Sequence, residues 1–252
     1  MPIDFHKTQI FAHRGANREA AENTRSAFDR ALEYPIDGME TDIQLSRDGV
    51  TVLWHDRFLD KLGLPGKHID DFDYAQLREM DFAKHFAGAG KPEKVVSLKE
   101  LIAAYRPRCR LLLEIKNREW EEPSRHLEKV RKTLEMTGPV TEDHILLSSF
   151  NLGSMIDAHQ IAPQFPLVLN LEPAHNAEFA HRVLASHPFL YGLCVDISTL
   201  HEDMVSVIRG HGKRIAVYTC NTDEEINRAL GLGVDILISD VPQKALTIRG
   251  QR

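Results

Sequence analysis

Residues 38–56 read Gly38-Met39-Glu40-Thr41-Asp42-Ile43-Gln44-Leu45-Ser46-Arg47-Asp48-Gly49-Val50-Thr51-Val52-Leu53-Trp54-His55-Asp56. The first half alternates, with Met39, Thr41, Ile43 and Leu45 on one side of an extended chain and Glu40, Asp42 and Gln44 on the other. Strand side chains repeat every two residues, so Glu40 and Asp42 share a face. Thr51 to Trp54 is the next strand candidate. The link Ser46-Arg47-Asp48-Gly49 is far shorter than the roughly one dozen residues that a parallel crossover needs, and Asp-Gly is a hairpin signal. The two strands are therefore expected to be antiparallel, which brings His55 back beside Glu40.

On the N-terminal side, Ile10-Phe11-Ala12 is a short apolar run that ends at His13. Thr24 to Leu32 carries Ala27, Phe28, Ala31 and Leu32 at helical spacing, with Asn23 or Thr24 placed to cap the first turn. On the C-terminal side, Leu64-Pro65-Gly66 and Phe86-Ala87-Gly88-Ala89-Gly90-Lys91-Pro92 break the pattern. We read residues 57–96 as a small insertion over one end of the domain, with room for a small helix within Tyr74 to Phe86. Beyond it helices and short apolar runs alternate, from Leu98–Tyr105 and Arg110–Lys116 onward. Strands end near residues 13, 42, 116, 149, 170, 196, 219 and 239. That pattern predicts an α/β fold, a closed (β/α)8 TIM barrel spanning residues 1–252 as one domain. The helix after the second strand reads as replaced by the hairpin and the insertion.

A formal charge of −6 and a pI near 6.1 give no basic excess, which argues against a nucleic-acid partner. The start, Met1-Pro2-Ile3-Asp4-Phe5-His6-Lys7, lacks the pattern of a secretory signal. No apolar run approaches the ~20 residues that span a bilayer. A cytoplasmic protein without stable membrane insertion is expected. Cys109, Cys194 and Cys220 are far apart and lack metal-ligand spacing, so they are expected to be reduced packing residues.

In a barrel of this kind chemistry sits at the carboxyl ends of the strands, and here those ends are polar: His13, Asp42, Glu114 with Lys116, Ser149, Asn170, Asp196, Thr219 and Asp240. In Leu111-Leu112-Leu113-Glu114-Ile115-Lys116 an apolar strand finishes with an acid and a base on one face. The bland reading makes them a structural ion pair. With Glu40 and Asp42, however, Glu114 completes a cluster of three carboxylates that would repel itself without a cation. Oxygen-only ligands suit Mg2+ or Ca2+ rather than zinc. Arg14 and Lys116 supply further positive charge for an anionic group. His13 and His55 each end a strand that leads to these carboxylates, and an unperturbed pKa of about 6.5 suits giving and taking a proton near neutrality. The competing roles for either imidazole are metal ligation and a structural one. Most of the remaining histidines lie in helix-like or loop contexts.

His13-Arg14-Gly15, Glu22-Asn23-Thr24, Glu40-x-Asp42, Asp48-Gly49, His55-Asp56 and Glu114-Ile115-Lys116, in that order, resemble the glycerophosphodiester phosphodiesterase family. So do Ser148-Ser149-Phe150, Val217-Tyr218-Thr219-Cys220-Asn221 and Gly233 to Pro242. The resemblance implies the TIM barrel of phosphatidylinositol-phospholipase-C-like phosphodiesterases and metal-dependent hydrolysis of glycerophosphodiesters to sn-glycerol 3-phosphate and an alcohol. Carried over position by position, it implies His13 and His55 as general acid and base, Glu40, Asp42 and Glu114 as ligands of one Mg2+ or Ca2+, and Arg14 and Lys116 on the substrate phosphate. The order of acid and base stays open, as does a cyclic phosphate intermediate. Ala21 stands where the family usually has proline, Tyr218 replaces its usual tryptophan, and the segment after His55-Asp56 lacks its usual Thr-Thr-Gly. The last two differences bear on substrate preference.

The first reading is thus an enzyme acting on deacylated phospholipids such as glycerophosphocholine or glycerophosphoethanolamine. A lysophospholipase D is the alternative within enzymes, with Phe58, Leu59, Leu62 and Leu64 offered as an acyl groove. A non-catalytic barrel that binds a phosphodiester or a protein partner is the alternative of another class. A homo-oligomer is compatible with each.

Overall fold

The computed structural model describes residues 7–138 and 144–251. The N-terminal residues read above as lacking a secretory signal lie, up to residue 6, outside the described residues. Eight parallel strands close on themselves: β1 (Gln9–His13), β2 (Gly38–Leu45), β4 (Arg110–Ile115), β5 (Ile145–Ser149), β6 (Leu167–Asn170), β7 (Gly192–Asp196), β8 (Arg214–Tyr218) and β9 (Ile236–Ser239). A ninth strand, β3 (Thr51–Leu53), pairs antiparallel with the far end of β2, with Ile43 opposite Leu53 and Leu45 opposite Thr51. The helices are α1 (Arg25–Ala31), α2 (Tyr74–Leu77), α3 (Leu98–Tyr105), α4 (Pro123–Thr137), α5 (Leu152–Ile161), α6 (Ala177–Ser186), α7 (Glu202–Gly210), α8 (Asp223–Gly231) and α9 (Pro242–Gly250). The expected (β/α)8 barrel is the fold observed.

The strand alternation separates two apolar layers. Ile10, Ala12, Met39, Ile43, Leu111 and Leu113 point outward into the core shared with the helices. Phe11, Leu112, Leu146, Val168, Cys194 and Ala216 point inward and fill the barrel. Both sets are withdrawn from water, the general basis of burial-driven stability.

One expectation is corrected. The helix after the second strand is present: α3 packs on the common core through Leu98 and Leu101, its Tyr105 ring lies 5.3 Å from Phe28 of α1, and the Tyr105 hydroxyl donates to Asp29 at 2.9 Å. The hairpin and insertion precede it rather than replace it. Its start is fixed by a reciprocal cap in which Glu100 N–H donates to Ser97 Oγ and Ser97 N–H donates to Glu100. The small helix expected within Tyr74 to Phe86 is present as the single turn α2, after which Asp81 accepts from Ala83 N–H and Glu93 N–H and ties the chain into a loop. Residues 57–96 pack on β3 through a small apolar cluster that includes Trp54, Leu59, Leu62, Ile69, Leu77 and Phe82, with the Trp54 and Phe82 rings edge to face at 5.4 Å.

One close approach sets the seam between β1 and β2. A Cβ on Gly38 would stand 2.5 Å from the Phe11 ring inside the barrel. Gly38→Ala is therefore expected to destabilise the protein by about 1–3 kcal/mol in urea unfolding, the range for overpacking a filled core. Gly90→Ala, where nothing lies within 4 Å, is the control and is expected to change stability by less than about 0.5 kcal/mol.

Candidate active site

Register alone places most of the charged groups. His13 is opposite Glu40 in the β1–β2 ladder, Asp42 is opposite Glu114 in the β2–β4 ladder, and Glu114 is opposite Ser148 in the β4–β5 ladder. Neighbouring inward positions at one barrel end are therefore His13, Glu40, Asp42, Glu114 and Ser148. Glu40, Asp42 and Glu114 are buried, and each offers a carboxylate oxygen within 4.8 Å of the other two.

Arg14 reaches this cluster through a sharp turn. Arg14 and Gly15 have φ of 56° and 81°, and Arg14 N–H donates to the Glu40 carbonyl at 2.9 Å while its own carbonyl accepts from Asn23 N–H at 3.1 Å. A left-handed arginine is unfavourable by itself, so these bonds are what hold it. Gly15 is required: a Cβ there would meet the Ala27 backbone at 2.6 Å. The turn delivers Arg14 Nε to 3.1 Å from Asp42 Oδ2 and Nη1 to 2.9 Å from Glu22 Oε2. From the opposite side Lys116 Nζ lies 2.6 Å from Glu114 Oε1 and 3.1 Å from Asp42 Oδ1.

These charges divide the carboxylates. Burial pushes Asp42 up, but Lys116 and Arg14 outweigh it and hold the group well below the usual carboxylate range. Burial and the Asp42 charge together raise Glu40 well above that range. Glu40 Oε2 is buried and accepts no hydrogen bond among the described residues. An unpartnered buried carboxylate oxygen is costly, and a cation would complete it.

Both imidazoles are tied at Nδ1 by an aspartate. His13 Nδ1 lies 2.6 Å from Asp240 Oδ1, and His55 Nδ1 lies 2.8 Å from Asp56 Oδ1. Each of these aspartates is held below its ordinary range against the opposing effect of burial, so each is an acceptor and the facing Nδ1 is the donor. Nε2 is then the nitrogen left for chemistry, and on His13 it stands 3.7 Å from Glu40 Oε2. Burial and then the Arg14 charge lower the His13 pKa, while Asp240 works against them, so the ring is neutral at neutral pH. On the His55 side, the Arg118 guanidinium donates to the backbone carbonyls of His55 and Asp56.

A cavity of about 200 Å³ is lined by His13, Arg14, Glu40, His55, Glu114 and Lys116, with Phe150, Asn170, Cys194, Tyr218 and Thr219 among its other walls. Six of the seven residues singled out from the sequence thus share one cavity, and Asp42 lies beneath it against Arg14 and Lys116. Sequence reasoning passed over the groups that orient them. Asp240 was visible only as a polar strand end, yet it also accepts from Asn17, Asn221 and Arg18. Of the two candidate caps, Asn23 and Thr24, it is Thr24 that caps α1, and Asn23 Nδ2 instead donates to Asp42 Oδ2 at 2.9 Å while its Oδ1 accepts from Thr41. Conversely Ser149 is turned out of the barrel onto the Ile115 carbonyl, and Asp196 caps the turn at Ile197–Thr199.

The model of the glycerophosphoryl diester phosphodiesterase family matches residues 13–244. A glycerophosphodiester phosphodiesterase of Bacillus altitudinis is 30% identical over 248 residues, covering 96% of this chain and 98% of that one. A phosphodiesterase of Oleispira antarctica, solved in complex with the product sn-glycerol-3-phosphate, superposes with a TM-score of 0.84 at 25% identity, covering 98% of this chain and 99% of that one. A glycerophosphodiester phosphodiesterase of Agrobacterium tumefaciens superposes with a TM-score of 0.77 at 26% identity, covering 95% and 99%.

Asn23 adopts φ 58° and bridges Thr41 to Asp42, both buried. Asn23→Ala is expected to lower stability by about 1–3 kcal/mol, because it strands a buried hydroxyl and removes a carboxylate partner. Equilibrium urea unfolding measures the loss.

Proposed function

The chain belongs to the glycerophosphoryl diester phosphodiesterase family and is a phosphoric diester hydrolase, and we propose that its substrates are water-soluble glycerophosphodiesters. Glycerophosphocholine and glycerophosphoethanolamine are the compounds meant, with sn-glycerol 3-phosphate and the free alcohol as products. The observation that carries this reading is the single cavity onto which two aspartate-tied imidazoles, a guanidinium, an ammonium group and the acidic cluster converge. The product bound in the Oleispira relative supports it. At about 200 Å³ the cavity lies below the ~300–1,000 Å³ common for ligand pockets, which favours a small head group.

Glu40, Asp42 and Glu114 are the residues that would hold one Mg2+ or Ca2+. The unpartnered Glu40 oxygen and the all-oxygen donor set fit such an ion. A bound divalent cation supplies Lewis-acid polarisation of a phosphoryl oxygen. The chain's own residues do the rest. Arg14 and Lys116 bind the phosphate, the guanidinium by its planar fork and the ammonium as a point charge. Neutral His13 is suited to accept, at Nε2, the proton of the attacking hydroxyl, from water or from the neighbouring glycerol hydroxyl. His55 acts as the general acid in its imidazolium form: Asp56 accepts from Nδ1–H, and the Nε2 proton passes to the alcohol oxygen as its bond to phosphorus breaks, so the leaving group departs neutral and the ring is left neutral. If the glycerol hydroxyl attacks first, the cyclic phosphate is then opened by water with the proton transfers reversed.

Acyl-bearing lysophospholipids fit less well, since Leu59 and Leu62 are buried in the cluster beside β3 and Phe58 stacks on His68 at 5.0 Å. The same reading takes residues 1–252 as one functional unit with residues 57–96 as an elaboration of the barrel. It places the protein in the cytoplasm, a location that suits three buried free cysteines. Among the described residues no helix is long and apolar enough to cross a membrane.

His13→Ala and His55→Ala are each expected to lower glycerophosphocholine turnover by about 10²- to 10⁴-fold, the range for general acid–base groups, with an unchanged circular dichroism spectrum. Wild-type turnover in either variant would defeat the assignment. Exhaustive EDTA dialysis is expected to abolish turnover, with recovery on adding Mg2+ or Ca2+. Activity that survives dialysis with no ion left by elemental analysis would count against the carboxylate cluster as a cation site.

A further inference from the structure

Beside the acidic trio lies a second cluster of cation-binding type. Glu22, His55 and Asp56 each offer a ligand atom within 4.8 Å of the others, a spacing that could accept a metal ion. In this chain an ammonium group meets that cluster. Lys61 Nζ lies 2.8 Å from Glu22 Oε1 and 2.9 Å from Asp56 Oδ2. The remaining oxygens of the two acids point to the reacting groups: Glu22 Oε2 is 2.9 Å from Arg14 Nη1, and Asp56 Oδ1 is 2.8 Å from His55 Nδ1. The result is a continuous chain, Arg14–Glu22–Lys61–Asp56–His55, that joins two walls of the cavity through one lysine.

Folding stability alone is a weak account of this arrangement. The Lys61 side chain is 37% exposed, and ion pairs at that exposure contribute little to stability. Its backbone is anchored separately, in a short turn, Asp60–Leu62, whose Leu62 is buried in the apolar cluster beside β3. The side chain is thus held out from a fixed base toward two carboxylates, each of which orients a different group at the cavity.

We infer that Lys61 is a positioning residue for the hydrolysis: it occupies the cation site formed by Glu22, His55 and Asp56, and holds Asp56 on His55 and Glu22 on Arg14 at once. The inference rests on the roles of His55 and Arg14 proposed above. Without the ammonium group the two acids face each other as like charges, Asp56 is free to turn from the ring, and His55 loses the Nδ1–H bond that aims Nε2 at the alcohol oxygen.

The test uses the full chain with Lys61→Met, Lys61→Arg and His55→Ala, assayed on glycerophosphocholine, together with ¹⁵N NMR of the His55 ring. Lys61→Met is expected to lower kcat by about 10- to 100-fold, the usual effect of removing a group that orients an active-site ligand, without a change in melting temperature. Its His55 signals should leave the Nδ1–H pattern, and Lys61→Arg should recover most of the turnover. Wild-type kcat in Lys61→Met, a loss with unmoved His55 signals, or a Lys61→Arg enzyme no better than Lys61→Met would each overturn the inference. Full turnover in His55→Ala would bring down the parent reading with it, whereas a dead His55→Ala beside an unimpaired Lys61→Met would sink the Lys61 role alone.

Discussion

Three carboxylates packed at one end of a barrel repel one another, and burial denies them the water that would screen the repulsion. Most of the geometry described above answers that problem. Arg14 and Lys116 approach Asp42 from opposite sides and keep it ionised, and Asn23 adds a hydrogen bond to the same group. Glu40 receives less compensation and is left with a bare oxygen. An arrangement that sets two cations against one acid and leaves its neighbour short of a partner is poised for one more positive charge, and the proposed divalent ion would supply it.

The two imidazoles are restrained on different principles. His55 is bonded at Nδ1 to the residue that follows it, so the restraint on its ring is local. His13 is bonded to a residue 227 positions away, at the end of the strand that closes the barrel. Under the proposed roles, one half of the proton-transfer pair is set by a short segment and the other by the closure of the whole sheet.

This difference also explains what could be read from the sequence. The alternation in Met39 to Leu45 and the Asp-Gly turn placed Glu40, Asp42 and His55 together, because strand period and hairpin length are local constraints. The apolar run ending Glu114-Ile115-Lys116 revealed the third acid for the same reason. Asp240 was indistinguishable from Ser149 or Asp196 as a polar strand end, since only the closed barrel decides which of them faces inward and which hydrogen-bonds backbone. Asn23 was ambiguous because cap and cluster partner use the same side chain. Lys61 sits in a stretch without periodicity, where nothing local points to Glu22, 39 residues earlier. The helix α3 was recognised as an element, but its membership in the outer ring depends on the Phe28–Tyr105 contact across the sequence.

The seam between β1 and β9, where Ala12 lies opposite Ser239, has a consequence for synthesis. Strand β9 emerges late from the ribosome, after the carboxylates, both cations and both imidazoles. Until it docks, His13 lacks Asp240 and its ring is free to choose either tautomer. Under the proposed roles a nascent chain therefore carries nearly every reacting group yet stays idle, and hydrolytic competence arrives together with completion of the fold.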